Sequence, residues 1–109
     1  MDARPVRLDV VMARWCPHCY PLSVDQGKIL ARDLDVPLRL LDIDRPAEET
    51  VADELVRLYG DWDPDYLIPQ VFLTWSDGRV QHLLTGTPGS VAATHQSWDR
   101  VRAHLGHRG

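Results

Sequence analysis

The chain is poor in the residues that build most recognisable sites. Its 109 residues hold two cysteines, one lysine (Lys28) and no asparagine. Two cysteines make neither a disulfide-rich scaffold nor a four-thiolate zinc site. Twelve basic residues face sixteen acidic ones, a net charge of -4 at pH 7. That balance leaves no excess positive charge to hold nucleic acid or an anionic membrane. No apolar run approaches the ~20 residues needed to span a bilayer. The amino end, Met1-Asp2-Ala3-Arg4-Pro5-Val6, lacks the apolar run of a signal peptide, so no leader is expected and the localisation is read as cytoplasmic. Arginine in place of lysine reads as codon composition and carries nothing about function.

What is present suits one globular domain. The hydrophobic fraction, 44%, is ordinary for a folded chain and too high for a disordered one. The length predicts a single domain, 1–109, with an ordered core over about residues 6–105. Val6, Leu8, Val10 and Met12 alternate with Arg7, Asp9, Val11 and Ala13, a strand running into Trp15. Pro17 suits the first position of a helix continuing through Leu22, Ile29, Leu30 and Leu34, bent near Pro21 and ended by Pro37. Leu38 to Ile43 reads as a buried strand. Ala47, Val51, Leu55, Leu58 and Tyr59 line one face of a second helix, stopped by Gly60. Val71 to Trp75, Ser76-Asp77-Gly78 and Arg79 to Thr85 form a hairpin, and Val91 to Leu105 a last helix. The tail His107-Arg108-Gly109 is expected to fray.

The order is therefore β-α-β-α-β-β-α, an α/β fold. Two right-handed βαβ crossovers are expected to give parallel pairing, with the hairpin adding antiparallel strands. The architecture is a four-stranded mixed sheet with helices on both faces.

Both cysteines lie in one tetrapeptide, Cys16-Pro17-His18-Cys19, at the first strand–helix junction. Residues at i and i+3 share a helix face, within reach of a disulfide. Unpaired N–H groups at a helix start stabilise a thiolate, which makes Cys16 the candidate nucleophile and Cys19, a turn deeper, the resolving thiol. The competing reading is half of a metal site. Zinc would need two more ligands from His18, His82, His95, His104 and His107, and a C-terminal helix is poorly placed to supply them. The strand-then-helix context favours redox chemistry, with no metal and no cofactor.

Met12-Ala13-Arg14-Trp15-Cys16-Pro17-His18-Cys19 resembles the active-site segment of the thioredoxin superfamily. Leu41-Asp42-Ile43-Asp44 is similar to the family's next strand and its exit, and Ile68-Pro69-Gln70-Val71-Phe72-Leu73 to its cis-proline segment, in a form close to glutaredoxins. Ser76-Asp77-Gly78 and Gly86 match its hairpin turn and the glycine before the last helix. The resemblance runs from about Val6 to Leu105. It implies a thioredoxin-like fold, a cis Ile68–Pro69 peptide lying against the cysteines, and substrate pairing through the backbone of Ile68. It also implies a substrate-facing surface that includes Trp15, Pro69 and Gly86, beside the catalytic Cys16, Pro17, His18 and Cys19.

Departures from the family narrow this. Val10 and Leu40 stand where thioredoxins bury an aspartate and a lysine, so the usual proton relay is missing or replaced. Asp61 to Leu67 is a longer loop than thioredoxin's. Gly86-Thr87-Pro88-Gly89-Ser90 only partly matches the glutaredoxin pattern, which speaks against glutathione binding. His18 gives the Cys-Pro-His-Cys arrangement of the periplasmic DsbA oxidases. An imidazole there can donate to the Cys16 thiolate, and the expected potential lies above thioredoxin's ~-270 mV and below or near DsbA's ~-120 mV. Trp75 and Trp98 suit core positions, whereas Trp62 and Tyr66 suit either a partner contact or local packing.

The function expected is a thiol–disulfide oxidoreductase exchanging electrons with protein disulfides through Cys16 and Cys19. It is expected to act as a monomer recharged by a thioredoxin-reductase-like donor or a small thiol. The alternatives are a glutathione-dependent glutaredoxin, or a non-catalytic adaptor holding a metal or an iron–sulfur cluster.

Overall fold

The computed structural model describes residues 2–105, so the tail His107-Arg108-Gly109 lies outside the described residues. β1 (Pro5–Met12) leads to an irregular helical turn, His18–Ser23, and then to α1 (Val24–Leu34). β2 (Leu38–Asp42), α2 (Pro46–Tyr59), the hairpin of β3 (Gln70–Trp75) and β4 (Val80–Thr85), and α3 (Val91–Leu105) follow. The sheet order is β2-β1-β3-β4. β1 and β2 are parallel, and the other two pairings are antiparallel. The fold is thioredoxin-like, a four-stranded mixed sheet with helices on both faces.

β1 lies second in the sheet and is covered on both sides, so its alternation sends two sets of side chains into two cores. Leu8, Val10 and Met12 pack with Val24, Leu30, Val71, Leu73 and Trp98 beneath α1 and α3. Val11 packs with Leu41, Ala52, Leu55, Val56 and Phe72 beneath α2. Asp9, on that second face, is fully buried and bound by the Nε groups of Arg7 and Arg39. Trp75 and Trp98 are both core residues. Trp62 and Tyr66 settle against the α2 core with their rings 5.3 Å apart, a local packing role.

The second crossover differs from expectation. β3 runs antiparallel to β1, not parallel to it, and enters at the end where β1 finishes, Gln70 lying opposite Val11. The reason lies at the end of α2. The Asp61 backbone N–H donates to the Gln70 side-chain oxygen at 2.9 Å, so α2 finishes beside the first residue of β3. The chain then has only to turn through residues 61–69 to start back down the sheet. Periodicity shows that α2 is amphipathic; it does not show which end of the sheet the helix finishes at.

The first helix has the expected irregularity near Pro21, in a stronger form than a bend. It is not continuous from Pro17 but broken at Tyr20, whose backbone is extended (φ -130, ψ 124), and regular helix begins only at Val24. Pro21 brings no N–H to the turn, and the residue before a proline is driven toward extended backbone. α1 ends at Leu34 through Asp35 in the left-handed region (φ 56), two residues before Pro37.

Gly60 does follow α2, but its backbone is ordinary extended chain (φ -115). Space is what requires glycine there: an added Cβ would collide with the Gln70 Oε1 and lie 2.7 Å from Phe72 Cζ. Both neighbours are fully buried, and Gln70 is fixed by three hydrogen bonds. Gly60→Ala is therefore expected to destabilise the fold by about 1–3 kcal/mol, the usual cost of overpacking, measured by urea denaturation.

Candidate active site

The cysteine turn starts where β1 runs out. The Cys16 N–H donates to Ala13 O at 3.2 Å, and Cys16 O accepts from the N–H groups of Cys19 (3.0 Å) and Tyr20 (2.9 Å). Both cysteines are free thiols. Both cysteines are buried, Cys16 at 4% exposure and Cys19 fully. Burial pushes the Cys19 thiol well above its ordinary 9.0, the neighbouring Cys16 side chain adds to this, and the charge of Asp42 contributes least; a backbone contact from Ala13 opposes them.

The Cys16 thiol faces the carbonyl oxygen of Ile68 at 3.9 Å. The Ile68–Pro69 peptide is cis, as are Tyr20–Pro21 and Asp63–Pro64. Behind it, the Gly86 N–H donates to Pro69 O at 2.8 Å. Gly86 sits so close that a Cβ there would lie 2.5 Å from Pro69 Cδ and 3.1 Å from Ile68 O. Cys16, Ile68, Pro69 and Gly86, far apart in sequence, thus form one contiguous group.

Around the thiols, Trp15 is 67% exposed and Tyr20 54% exposed. The Trp15 indole N–H donates to Asp44 Oδ2 at 2.8 Å, which fixes the ring beside Cys16. Pro17 is exposed, with helical backbone angles (φ -67, ψ -23), ahead of the irregular turn.

His18 is placed otherwise than the sequence suggests. Its Nδ1 lies 2.8 Å from Thr94 Oγ1 on α3, and the polar contact of the Cys16 thiol is Ile68, not the imidazole. Thr94 is fully buried, and nothing local to the Cys-Pro-His-Cys motif announces it. The same helix also grips the turn through its backbone: the Trp98 indole N–H donates to Ser23 Oγ (2.8 Å), and Ser23 O–H donates to His18 O (2.6 Å).

Val10 is fully buried and lies opposite the partly buried Leu40 in register, so neither position brings a charge. The carboxylate whose charge reaches Cys19 is Asp42, buried at the end of β2, opposite Met12 in register. It accepts the Asp44 N–H at 2.9 Å and lies 3.8 Å from Arg14 Nε. The sequence contains the signal for Asp42, since an acidic residue ending β2 falls at the same sheet edge as the end of β1.

Among the described residues, no group of three or more His, Cys, Asp or Glu side chains is placed to hold a metal ion. His82 lies beside Thr85 Oγ1 and against Phe72, His95 pairs with Asp99, and His104 is exposed on the last turn of α3; His107 lies outside the described residues. No helix among the described residues is long and apolar enough to cross a membrane.

A βαβ unit followed by an antiparallel hairpin and a helix, with a dithiol at the end of its first strand, makes this a thioredoxin-like domain. No protein-family model and no curated protein matches the chain. Among solved structures it is similar to the reduced C-terminal domain of DsbD from Neisseria meningitidis, at 17% identity over 91% of this chain and 82% of that one, with a TM-score of 0.46.

Two outcomes follow from this geometry. Because the folded state holds the Cys19 proton more tightly than the unfolded chain, its contribution to stability is complete below pH 9.0 and is lost as pH rises above that value. The Tyr66 phenol, raised above its ordinary 10.0 chiefly by burial and further by Asp53, acts in the same direction. Cys19→Ala isolates the thiol: the reduced wild type should lose stability more steeply than the variant between pH 9 and 11, read as denaturation midpoints. Gly86→Ala, in turn, should displace the Ile68–Pro69 segment, costing about 1–3 kcal/mol of stability and slowing alkylation-competent exchange at Cys16, measured by denaturation and by thiol–disulfide exchange rates.

Proposed function

We propose that the chain is a thiol–disulfide oxidoreductase that exchanges electrons with protein disulfides. The observation that carries this reading is the pair of free thiols, unequal in burial, with the outer one set against Ile68 and flanked by the exposed Trp15 and Tyr20.

The Cys16 thiolate attacks one sulfur of a substrate disulfide. The substrate S–S bond breaks, a Cys16–substrate mixed disulfide forms, and the first substrate sulfur leaves as a thiolate that takes up a proton. Cys19 then gives up its proton and attacks Cys16 Sγ. The second substrate thiol is expelled, and the Cys16–Cys19 disulfide holds the two electrons' worth of oxidation that the substrate has lost. Trp15 and Tyr20 supply apolar contact to the incoming chain, and the backbone of Ile68 pairs with it. Pro17 orients the turn.

A thioredoxin-reductase-like donor or a small thiol returns the dithiol form. In a reducing cytoplasm the net direction is reduction of the substrate. The reading is of a monomer, needing neither metal nor cofactor.

Insulin reduction by dithiothreitol tests this. The wild type should accelerate precipitation of the insulin B chain; Cys16→Ser should fall to background; and Cys19→Ser should accumulate a mixed disulfide on Cys16 visible by mass spectrometry. Acceleration by neither the wild type nor Cys19→Ser overturns the enzyme reading. Reduction that depends strictly on glutathione reassigns the chain to the glutaredoxin type. Stoichiometric zinc or iron in protein purified without air favours the adaptor.

A further inference from the structure

His18 is the one polar side chain within the cysteine motif, and its ring nitrogen Nδ1 is committed to a hydroxyl from the other end of the chain. What that hydroxyl can do is limited by counting its protons. Thr94 Oγ1 has one proton to donate and two lone pairs to accept with. The Thr87 N–H, at 2.9 Å, takes one lone pair. The proton then goes to one of two places: the Ser90 carbonyl at 3.4 Å, or His18 Nδ1 at 2.8 Å. Ser90 O is the poorer acceptor, because it is the farther and already receives the Thr94 N–H at 3.3 Å. Thr94 is fully buried, so no solvent proton competes.

Resting on the redox reading above, we propose that Thr94 is a positioning residue that sets the tautomer of His18. By donating to Nδ1 it makes the neutral ring carry its proton on Nε2. The half-buried imidazole, two residues from Cys16, then always offers an N–H donor from its remaining nitrogen. When the ring takes up a second proton, Nδ1–H becomes the donor. The hydroxyl turns its own proton to Ser90 O, and Nε2–H is unchanged. Thr94 thus serves either charge state of the ring, and the Nε2–H donor is present in both.

The surroundings leave this to the hydroxyl. Thr87 and Ser90 are uncharged. On α3, His95 and Asp99 are exposed and 3.6 Å from each other. The titratable groups of the turn itself are Cys16, Cys19 and the exposed Tyr20, and α1 adds the exposed Asp25 and Lys28. Beyond the end of β1 lies Arg14, also exposed, 3.8 Å from Asp42. In the proposed exchange, a thiolate formed in the same motif is the kind of anion that an Nε2–H donor suits.

The deciding measurement is a long-range proton–nitrogen NMR correlation of the neutral imidazole in the reduced, full-length protein. The expected result is the Nε2–H tautomer in the wild type and in Thr94→Ser, which keeps the hydroxyl, and a mixture in Thr94→Val, which loses it. In the glutathione redox equilibrium, Thr94→Val should shift the constant by roughly two- to tenfold, the size of one hydrogen bond, while Thr94→Ser stays at the wild-type value. A wild-type ring protonated on Nδ1 overturns the proposal, as does a Thr94→Val protein with unchanged tautomer and constant. Should Thr94→Val fail to fold, the wild-type and Thr94→Ser spectra still decide. The tautomer is read without turnover, so a chain that fails to reduce insulin sinks the enzyme reading and leaves this assignment to be judged by its own spectra.

Discussion

The site depends on the absence of a side chain at Gly86. Its N–H holds the Pro69 carbonyl, and the space a Cβ would need is filled by the proline ring and by Ile68 O. With β4 pressed this close, the Ile68 carbonyl has one place to be, facing the Cys16 thiol. The same segment is anchored from its other side by Gln70, whose amide donates to Asp61 O and Leu67 O while its oxygen accepts the Asp61 N–H. The loop from residue 61 to residue 69 is thereby tied down at both ends, and the wall beside Cys16 is built from backbone at Ile68.

The opposite side of the thiols is held by α3. A turn broken at Tyr20 loses the regular helical ladder, and side-chain hydrogen bonds, two of them from α3, add to its few backbone ones. Trp98 holds Ser23, Ser23 holds the His18 carbonyl, and Thr94 holds the His18 ring. Tyr20, at the break, is exposed, as is Trp15 on the other side of the motif. Polar anchoring on the α3 side and apolar exposure on the solvent side meet at this turn.

Which residues meet at the site was largely legible in the sequence, and its detailed geometry was not. Cys16 and Cys19 identify themselves by spacing and by their place between a strand and a helix. The hairpin shows in Ser76-Asp77-Gly78, where Gly78 takes the left-handed conformation (φ 89) that the turn needs. The antiparallel entry of β3 could not be read this way, because periodicity encodes which face α2 buries and not which end of the sheet it reaches. Thr94 was equally hidden. It sits at a core position of an amphipathic helix, 76 residues from the histidine it binds, and a buried threonine is compatible with packing alone. Asp42 was within reach, since a carboxylate ending β2 must lie near the end of β1 in a parallel pair.

In the exchange cycle proposed above, Cys19 suits the second step because it is fully buried with a raised thiol. Desolvation is the largest influence on Cys19, and it keeps that thiol protonated at neutral pH. A protonated, fully buried thiol is a poor competitor for external disulfides, so the first attack falls to Cys16 by default. The bias reverses once Cys16 carries a mixed disulfide, because the electrophilic sulfur is then beside Cys19 and the attack becomes intramolecular. Effective molarities of such oriented reactions reach about 10⁵ M or more, ample to offset a small thiolate fraction. Forming the mixed disulfide also removes the neighbouring Cys16 thiol and its charge, which count among the influences holding the Cys19 proton. In that proposed cycle the order of events follows from the burial of Cys19, with Asp42 a lesser influence.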